Sequence, residues 1–260
     1  MSGEDLITVD RLTMRFGGLT ALDELDMTVR QGEILGLLGP NGSGKTTFFN
    51  VLTGLYKASS GSVSYAGENV IGKSPQAIYR SGVARTFQRS RLSLSLTVFD
   101  NVVIGDYQHM RHGLAFNLLR RKAFRAEYDA YVEKVRGLLQ IFSPPLVDHL
   151  FESVDSFTMI DRRRIEVCRA LMSQPRLLLL DEPSAGMTHD ETDELMQDIL
   201  QVRGKMKELS VVLIEHEMNV IERVTDRCVV LNYGKKIAEG TYAQITADPE
   251  VLKAYLGEDT

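Results

Sequence analysis

Cysteine is scarce in this chain: its 260 residues hold two, Cys168 and Cys228. They lie far apart, form no metal-ligand spacing, and read as small buried hydrophobes. Long apolar runs are also missing. None approaches the ~18–20 residues that span a bilayer, so any membrane role is expected to run through a partner. No secretory leader is expected, because Met1-Ser2-Gly3-Glu4-Asp5 is acidic and polar. Together these readings predict a soluble, cytoplasmic chain. An excess of positive charge is lacking too. The 30 basic residues against 35 acidic ones leave a net charge of −5, which argues against a bulk nucleic-acid binder and predicts no nucleic-acid partner. Internal repeats and low-complexity segments are absent. The composition, 43% apolar and 25% charged, is ordinary for a globular protein with length for a large core or two lobes.

Against that background one stretch stands out, Gly39-Pro40-Asn41-Gly42-Ser43-Gly44-Lys45-Thr46-Thr47. It follows the apolar run Ile34 to Leu38 and precedes Phe48 to Leu55, which reads as a helix ending near Gly54. Strand, glycine-rich loop, helix with the spacing G-x-x-x-x-G-K-T is the phosphate-binding P-loop. Glycines let backbone N–H groups turn inward and approach phosphate oxygens with no Cβ in the way. The helix adds roughly +0.5 of an elementary charge at its N-terminus. Lys45 adds a full charge where the β- and γ-phosphates would lie. At about 4 Å and an effective dielectric of about 20, that pair is worth about 4 kcal/mol before desolvation. Thr46 offers a hydroxyl to Mg²⁺.

The rest of the chain supplies strands and helices around this loop. Leu6 to Val9 and Leu25 to Val29 alternate like short antiparallel strands, and Gly61 to Ala66 reads as another. Ser74 to Arg80 reads as a short helix, with Pro75 suited to its first turn. Val83 to Phe87 reads as a buried strand that ends at Gln88. Leu92 to Gly113 shows no clear period. Leu114 to Phe142 reads as one or two helices, apolar at Leu118, Leu119, Tyr128, Tyr131, Val135, Leu138, Leu139 and Phe142. Its basic cluster, Arg120, Arg121, Lys122 and Arg125, is either a solvated face or a contact for membrane headgroups or a membrane partner. Ser143-Pro144-Pro145 then breaks the helix. Arg162 to Met172 and Asp190 to Leu209 read as helices, Val211 to Ile214 as a buried strand, and Val220 to Val224 as a short helix. Cys228 to Leu231 and Lys236 to Ala238 form a hairpin around Asn232-Tyr233-Gly234, and Tyr242 to Leu256 is a helical tail.

Candidate chemistry sits at strand ends. Leu177 to Leu180 followed by Asp181 and Glu182 reads as a buried parallel strand whose carboxyl end carries charge. Ligands of open α/β sheets bind at that end. Asp181 fits a partner of nucleotide-bound Mg²⁺, and Glu182 fits a carboxylate that polarises an attacking water. His216, after Val211 to Ile214, is either a structural histidine or one that points at the phosphates. Gln88 is either a solvated boundary or a group that reaches a metal or a water. Phe16 is either core or an exposed ring on which adenine stacks.

Taken together, these motifs resemble those of the ATP-binding cassette (ABC) ATPases. The resemblance covers nearly the whole chain and rests on Gly39 to Thr47, on Gln88 in Arg85-Thr86-Phe87-Gln88, on Leu180-Asp181-Glu182-Pro183, on Ser184-Ala185-Gly186-Met187 and on His216. Within the family the chain is most similar to ATPase subunits of branched-chain amino acid importers. Arg15 to Leu22, Ala84 to Gln88, Ile214 to Met218, Pro249 to Gly257 and the long segment around residues 105–130 carry that likeness. The resemblance implies an α/β fold: a RecA-like P-loop NTPase core with an antiparallel β subdomain and an inserted α-helical subdomain. It divides the chain into residues 1–88, 89–173 and 174–260. ATP and Mg²⁺ are the implied ligands. Phe16 would stack on adenine, Thr46, Gln88 and Asp181 would serve Mg²⁺, Glu182 would be the catalytic carboxylate, and His216 would contact the γ-phosphate. Ser184 to Met187 would lie at a dimer interface, and two subunits would clamp two ATP molecules head to tail. Permease subunits would dock on the surface after Gln88, roughly Arg89 to Val102. A periplasmic or extracellular solute-binding protein would act indirectly, and the chain would sit peripherally on the cytoplasmic face of the inner or plasma membrane.

One motif departs from the family. The signature Leu-Ser-Gly-Gly-Gln is matched here by Phe157-Thr158-Met159-Ile160-Asp161. Thr158 keeps a hydroxyl, but both glycines are gone. Ile160 is expected to place a branched side chain where the backbone should approach phosphate, and Asp161 to add a negative charge there. The expectation is a heterodimer in which this subunit's P-loop and Glu182 work against an intact signature on a non-identical ATPase. The alternatives are a regulatory nucleotide-binding subunit of low turnover and a soluble ABC ATPase outside transport.

Overall fold

The computed structural model describes residues 4–88, 90–110 and 121–256. They fall into two compact units, one built from residues up to 85, residues 176–183 and residues from 206 onward, the other from residues 86–175 and 184–205.

The first unit holds two sheets. Strands β1 (Asp5–Phe16), β2 (Leu19–Arg30), β4 (Ser60–Tyr65) and β5 (Glu68–Asn69) form an antiparallel sheet in the order β2-β1-β4-β5. The alternation at Leu6 to Val9 and Leu25 to Val29 marks only fragments of β1 and β2, which run twelve residues each. The register shifts along the pair, and Arg11 and Glu24 adopt positive φ of 41° and 48°. Bulges of this kind move side chains to the opposite face, so a strict period of two breaks while the strand continues. The Arg11 N–H donates to the Asp26 carboxylate at 2.7 Å across this irregularity.

The second sheet has the order β10-β9-β3-β8-β7-β6, with β3 (Ile34–Leu38), β6 (Val83–Arg85), β7 (Leu177–Asp181), β8 (Ser210–Ile214), β9 (Arg227–Asn232) and β10 (Lys235–Gly240). All pairings are parallel except the β9–β10 hairpin. Every residue of β3, β7 and β8 is buried, the signature of strands covered on both faces. The strand expected over Val83 to Phe87 stops at Arg85, where its pairing with β7 ends, so Gln88 lies beyond the strand rather than at its tip. Helix α1 (Lys45–Leu52) leaves the end of β3. Its Phe48, Phe49 and Leu52 are fully buried and pack with Leu12, Leu25 and Val63 of the antiparallel sheet and Leu37, Leu179 and Val212 of the parallel one. Helix α2 (Pro75–Arg80) carries proline in its first turn as expected and is capped by Ser74.

The second unit is helical: α3 (Val98–Val103), α4 (Arg121–Phe142), α5 (Met159–Leu171) and α6 (His189–Lys205). Helix α3 lies in the stretch that showed no period. Its six residues are too short to show one, and Thr97 and Asp100 start it through a capping box. In α4 the buried positions are Val132, Val135, Leu139 and Phe142, a spacing of three and four that seats one face, while Arg121, Lys122 and Arg125 stay exposed. Leu118, Leu119 and Arg120 of the expected helix lie outside the described residues. Helix α5 begins three residues before the expected Arg162, because Thr158 caps it. Helix α6 ends at Lys205, short of the expected Leu209, and buries Leu195, Met196, Ile199 and Val202 along one stripe.

In the first unit, helix α7 (Met218–Val224) follows β8. The tail expected to be one helix is two, α8 (Tyr242–Thr246) and α9 (Pro249–Leu256). Pro249 disfavours helical backbone at the residue before it, so the chain breaks at Asp248.

Cys168 and Cys228 are both free and buried, and burial pushes the Cys168 thiol far up. A buried ion pair lies at one end of the second sheet. Arg227 donates to Glu33 Oε1 at 2.7 Å, to the Thr28 carbonyl at 2.7 Å, and to Glu239. Removing one member strands the other: Arg227→Ala is expected to lower the unfolding free energy in urea by about 3–5 kcal/mol. Arg227→Met paired with Glu33→Gln is expected to recover part of that loss.

Candidate nucleotide-binding site

The parallel order β3-β8-β7 brings the carboxyl ends of three strands side by side, and each continues into a candidate residue. From β3 comes the loop Gly39–Gly44. Gly39, Gly42 and Gly44 have φ of 139°, 78° and 109°. A Cβ on Gly39 would stand 2.1 Å from the Leu231 carbonyl oxygen, and one on Gly44 2.7 Å from that of Ala21. Both glycines are therefore required for space as well as conformation. Gly44 precedes α1 without any side-chain cap, leaving that helix's first N–H groups open to an anion.

Lys45 folds back under the loop, donating to the Gly39 carbonyl at 2.6 Å and the Pro40 carbonyl at 3.0 Å. It is 6% exposed. Burial pushes its pKa below the ordinary lysine range, and the charges of Glu182 and Asp181 oppose that shift. Thr46 is exposed beside it and Thr47 half-buried. Residues 41–47 line a pocket of about 290 Å³ with Phe16, Leu19, Ala21 and Glu182. Phe16 is 42% exposed and sets its ring edge-on to Tyr56 at 5.3 Å, so it belongs to the pocket mouth and not to the core.

Asp181 closes β7 and is buried against Arg85, whose guanidinium donates to it at 2.6 Å and to Asn50 at 2.7 Å. Arg85 was visible in the sequence only as part of a motif. A buried carboxylate at a strand end was the signal that it needs a cation. Glu182 follows in a left-handed conformation, φ 49°, pinned by its N–H to the Ile214 carbonyl at 2.9 Å. His216, just past β8, brings Nε2 to 2.7 Å from the Glu182 carboxylate. Acid and histidine from different strands thus form one pair at the loop.

Two supports of the loop had no signal strong enough to read from sequence. The Gly234 N–H in the β9–β10 turn donates to the Ser43 carbonyl at 3.0 Å. The Gly39 N–H donates to the Tyr255 hydroxyl at 2.8 Å, across 216 residues of chain. Burial pushes the Tyr255 hydroxyl above the usual phenol range, with the Gly39 N–H acting the other way.

The donor set fits a triphosphate: open N–H groups at a helix start, a buried lysine, and the buried Ser43 hydroxyl, which has no hydrogen-bond partner among the described residues. Among the described residues no group of three His, Cys, Asp or Glu is placed to hold a metal. Thr46 and Asp181 offer the kind of oxygen ligands that suit Mg²⁺ when phosphate oxygens complete the shell.

The remaining candidates lie in the second unit. Gln88 has its carbonyl held by Arg163 at 3.1 Å, and Arg163 also takes the Phe87 carbonyl and Glu166. Thr158 caps α5, accepting from the Asp161 N–H and donating to its carboxylate at 2.6 Å. Two expectations need correction here. Ile160 is 7% exposed and packs inward, so its branched side chain does not project from the helix start. The exposed residue is Met159, at 53%, whose sulfur lies 3.3 Å from where a Cβ on Gly186 would be. Asp161 is not a bare charge either, since Thr158 binds it and Arg164 lies 3.5 Å away. Phe157 precedes the cap in extended backbone. Ser184 is buried, Ala185 and Met187 are half-buried and Gly186 is exposed.

The family model described as ABC transporter matches residues 22–185, and one described as branched-chain amino acid ATP-binding cassette transporter matches residues 235–260. The high-affinity branched-chain amino acid transport ATP-binding protein LivG of Salmonella typhimurium is 38% identical over 98% of this chain and 99% of its own. BraF of Pseudomonas aeruginosa, described in the same words, is 37% identical over 97% and 98%. A solved structure described as the ADP conformation of an ATP-binding cassette of an ABC transporter superposes with a TM-score of 0.83. It is 27% identical over 98% of this chain and 100% of the other.

The Lys45 environment predicts a pH dependence. Bound phosphate favours the charged lysine, so nucleotide affinity is full below the free-state pKa of Lys45. It falls as pH rises past that value, until the higher pKa of the complex is reached. Across that interval calorimetry in alkaline buffers of different ionisation enthalpy is expected to show uptake of a proton. Lys45→Ala is expected to abolish the uptake and to weaken binding about tenfold to a hundredfold.

Proposed function

Because this chain belongs to the ABC transporter family of ATP-binding proteins, we propose that it powers import of branched-chain amino acids or related small polar solutes by hydrolysing ATP. The observation that carries the catalytic part is the Glu182–His216 pair, 2.7 Å apart beside a complete phosphate loop. The identity of 38% with LivG over nearly the whole of both chains supports the solute class.

The residues divide the work as follows. Phe16 stacks on the adenine at the pocket mouth. Gly42 to Thr47 and the start of α1 take phosphate oxygens through N–H groups, and Lys45 balances charge at the β- and γ-phosphates. Thr46 and Asp181 would hold Mg²⁺, which would neutralise phosphate charge there. Glu182 accepts hydrogen from the attacking water, with His216 donating through Nε2 to hold the carboxylate in place. Water adds to the γ-phosphorus, the bond to the β-γ bridging oxygen breaks, and ADP and inorganic phosphate leave. The peptide of Glu182 is locked by Ile214, so the carboxylate reaches this position with little freedom left to lose.

The chain works at the cytoplasmic face of the membrane, with permease subunits docking after Gln88, on roughly residues 89–102, and a solute-binding protein acting through them. A second ATPase, not identical to this one, completes the dimer. Met159 in place of a signature glycine supports that asymmetry, because its exposed side chain stands at the helix start meant to approach a partner's phosphate. The same observation favours, as a second reading, a regulatory subunit of low turnover.

In the assembled transporter, Glu182→Gln is expected to retain nucleotide and to lose ATP turnover and leucine uptake by about 10²–10³. The matching change in the second ATPase is expected to leave most turnover. Turnover near normal with Glu182→Gln would overturn the asymmetric reading, and labelled leucine failing to accumulate in the unaltered complex would overturn the solute class.

A further inference from the structure

The phosphate loop has two faces. One opens on the pocket with Phe16 and Glu182. The other looks onto a cleft of about 830 Å³, with Pro40 to Ser43 on one wall and Glu250 and Lys253 of α9 on another. The Tyr255 hydroxyl joins α9 to the loop, accepting from the Gly39 N–H at 2.8 Å. Gly39 is where the loop is least free. Its φ of 139° leaves no room for a Cβ, and it lies one residue past the last paired position of β3, Leu38 opposite Val230. Its N–H therefore needs a partner outside the ladder. Its carbonyl is the nearer of the two that hold the Lys45 ammonium. Tyr255 on the amide side and Lys45 on the carbonyl side thus grip one glycine. If the amide side is released, the carbonyl that orients Lys45 can rotate.

We propose that Tyr255 is a positioning residue for nucleotide binding: through the Gly39 N–H, the C-terminal helix sets the loop conformation that aims Lys45. The proposal rests on the reading that this loop binds nucleotide. It gives the tail a role in the ATP site through the loop backbone, and it makes nucleotide affinity sensitive to whatever displaces α9.

The experiment compares the full chain with Tyr255→Phe, which keeps the ring and removes the acceptor, and with Val135→Ala, a fully buried position of α4 in the second unit. Binding of a fluorescent ATP analogue with Mg²⁺, the melting temperature and the Gly39 amide resonance are read for each. Tyr255→Phe is expected to raise the nucleotide Kd about three- to tenfold and to shift the Gly39 amide proton upfield. Val135→Ala is expected to melt at lower temperature with Kd within about twofold of the unaltered chain, a spread worth no more than a weak contact. If Tyr255→Phe binds like the unaltered chain, or if Kd follows melting temperature in both variants alike, the positioning role is overturned. If the unaltered chain retains no nucleotide, the functional reading falls and this inference with it.

Discussion

Parallel pairing of β3, β8 and β7 is the constraint on which the site depends. It forces the loop after Leu38, the acid after Asp181 and the histidine after Ile214 to emerge on one edge. None of these residues is close to another in sequence. The strands are buried along their whole length, so a slip of register would expose apolar surface on two faces at once. Hydrophobic burial, the largest non-specific term in the fold, therefore fixes the most specific geometry in it. The short Glu182–His216 separation is a consequence of sheet order more than of local attraction.

The edge that carries the chemistry also concentrates charge, and the protein manages it by pairing. Asp181 is held by Arg85 with both side chains almost fully buried. Lys45 is buried among carbonyls, with two carboxylates nearby to keep it charged against the cost of burial. Such arrangements are poor contributors to net stability, because desolvation offsets most of the attraction. What they supply is preorganisation: charges already stripped of water and already aimed. The same logic applies to Gly39, whose backbone is fixed from both sides before any ligand arrives.

The segment Phe157 to Asp161 reads differently once its surroundings are known. Ile160 and Asp161 looked like obstacles, a branched side chain and an unwanted charge. Ile160 is instead part of the helical unit's interior, and Asp161 belongs to a cap with Thr158 and to the cluster around Arg164, which also binds Asp198 at 2.8 Å. The departure that reaches the surface is Met159.

Local chemistry was enough to place the phosphate loop, the acids at the end of Leu177–Asp181 and the short helix with Pro75 in its first turn, because spacing and residue type act over a few positions and leave a readable pattern. The same holds for the α/β class and the kinship with ABC ATPases, which several ordered motifs carry together. Strand length in β1 and β2 escaped, since bulges erase the alternation. Helix α3 escaped because six residues give no period, although Thr97 and Asp100 announced it. The inward turn of Ile160, the Arg85–Asp181 pair and the grip of Tyr255 on Gly39 were beyond reach of pattern. They join positions up to 216 residues apart, and nothing within a few residues of either partner constrains the other until packing brings them together.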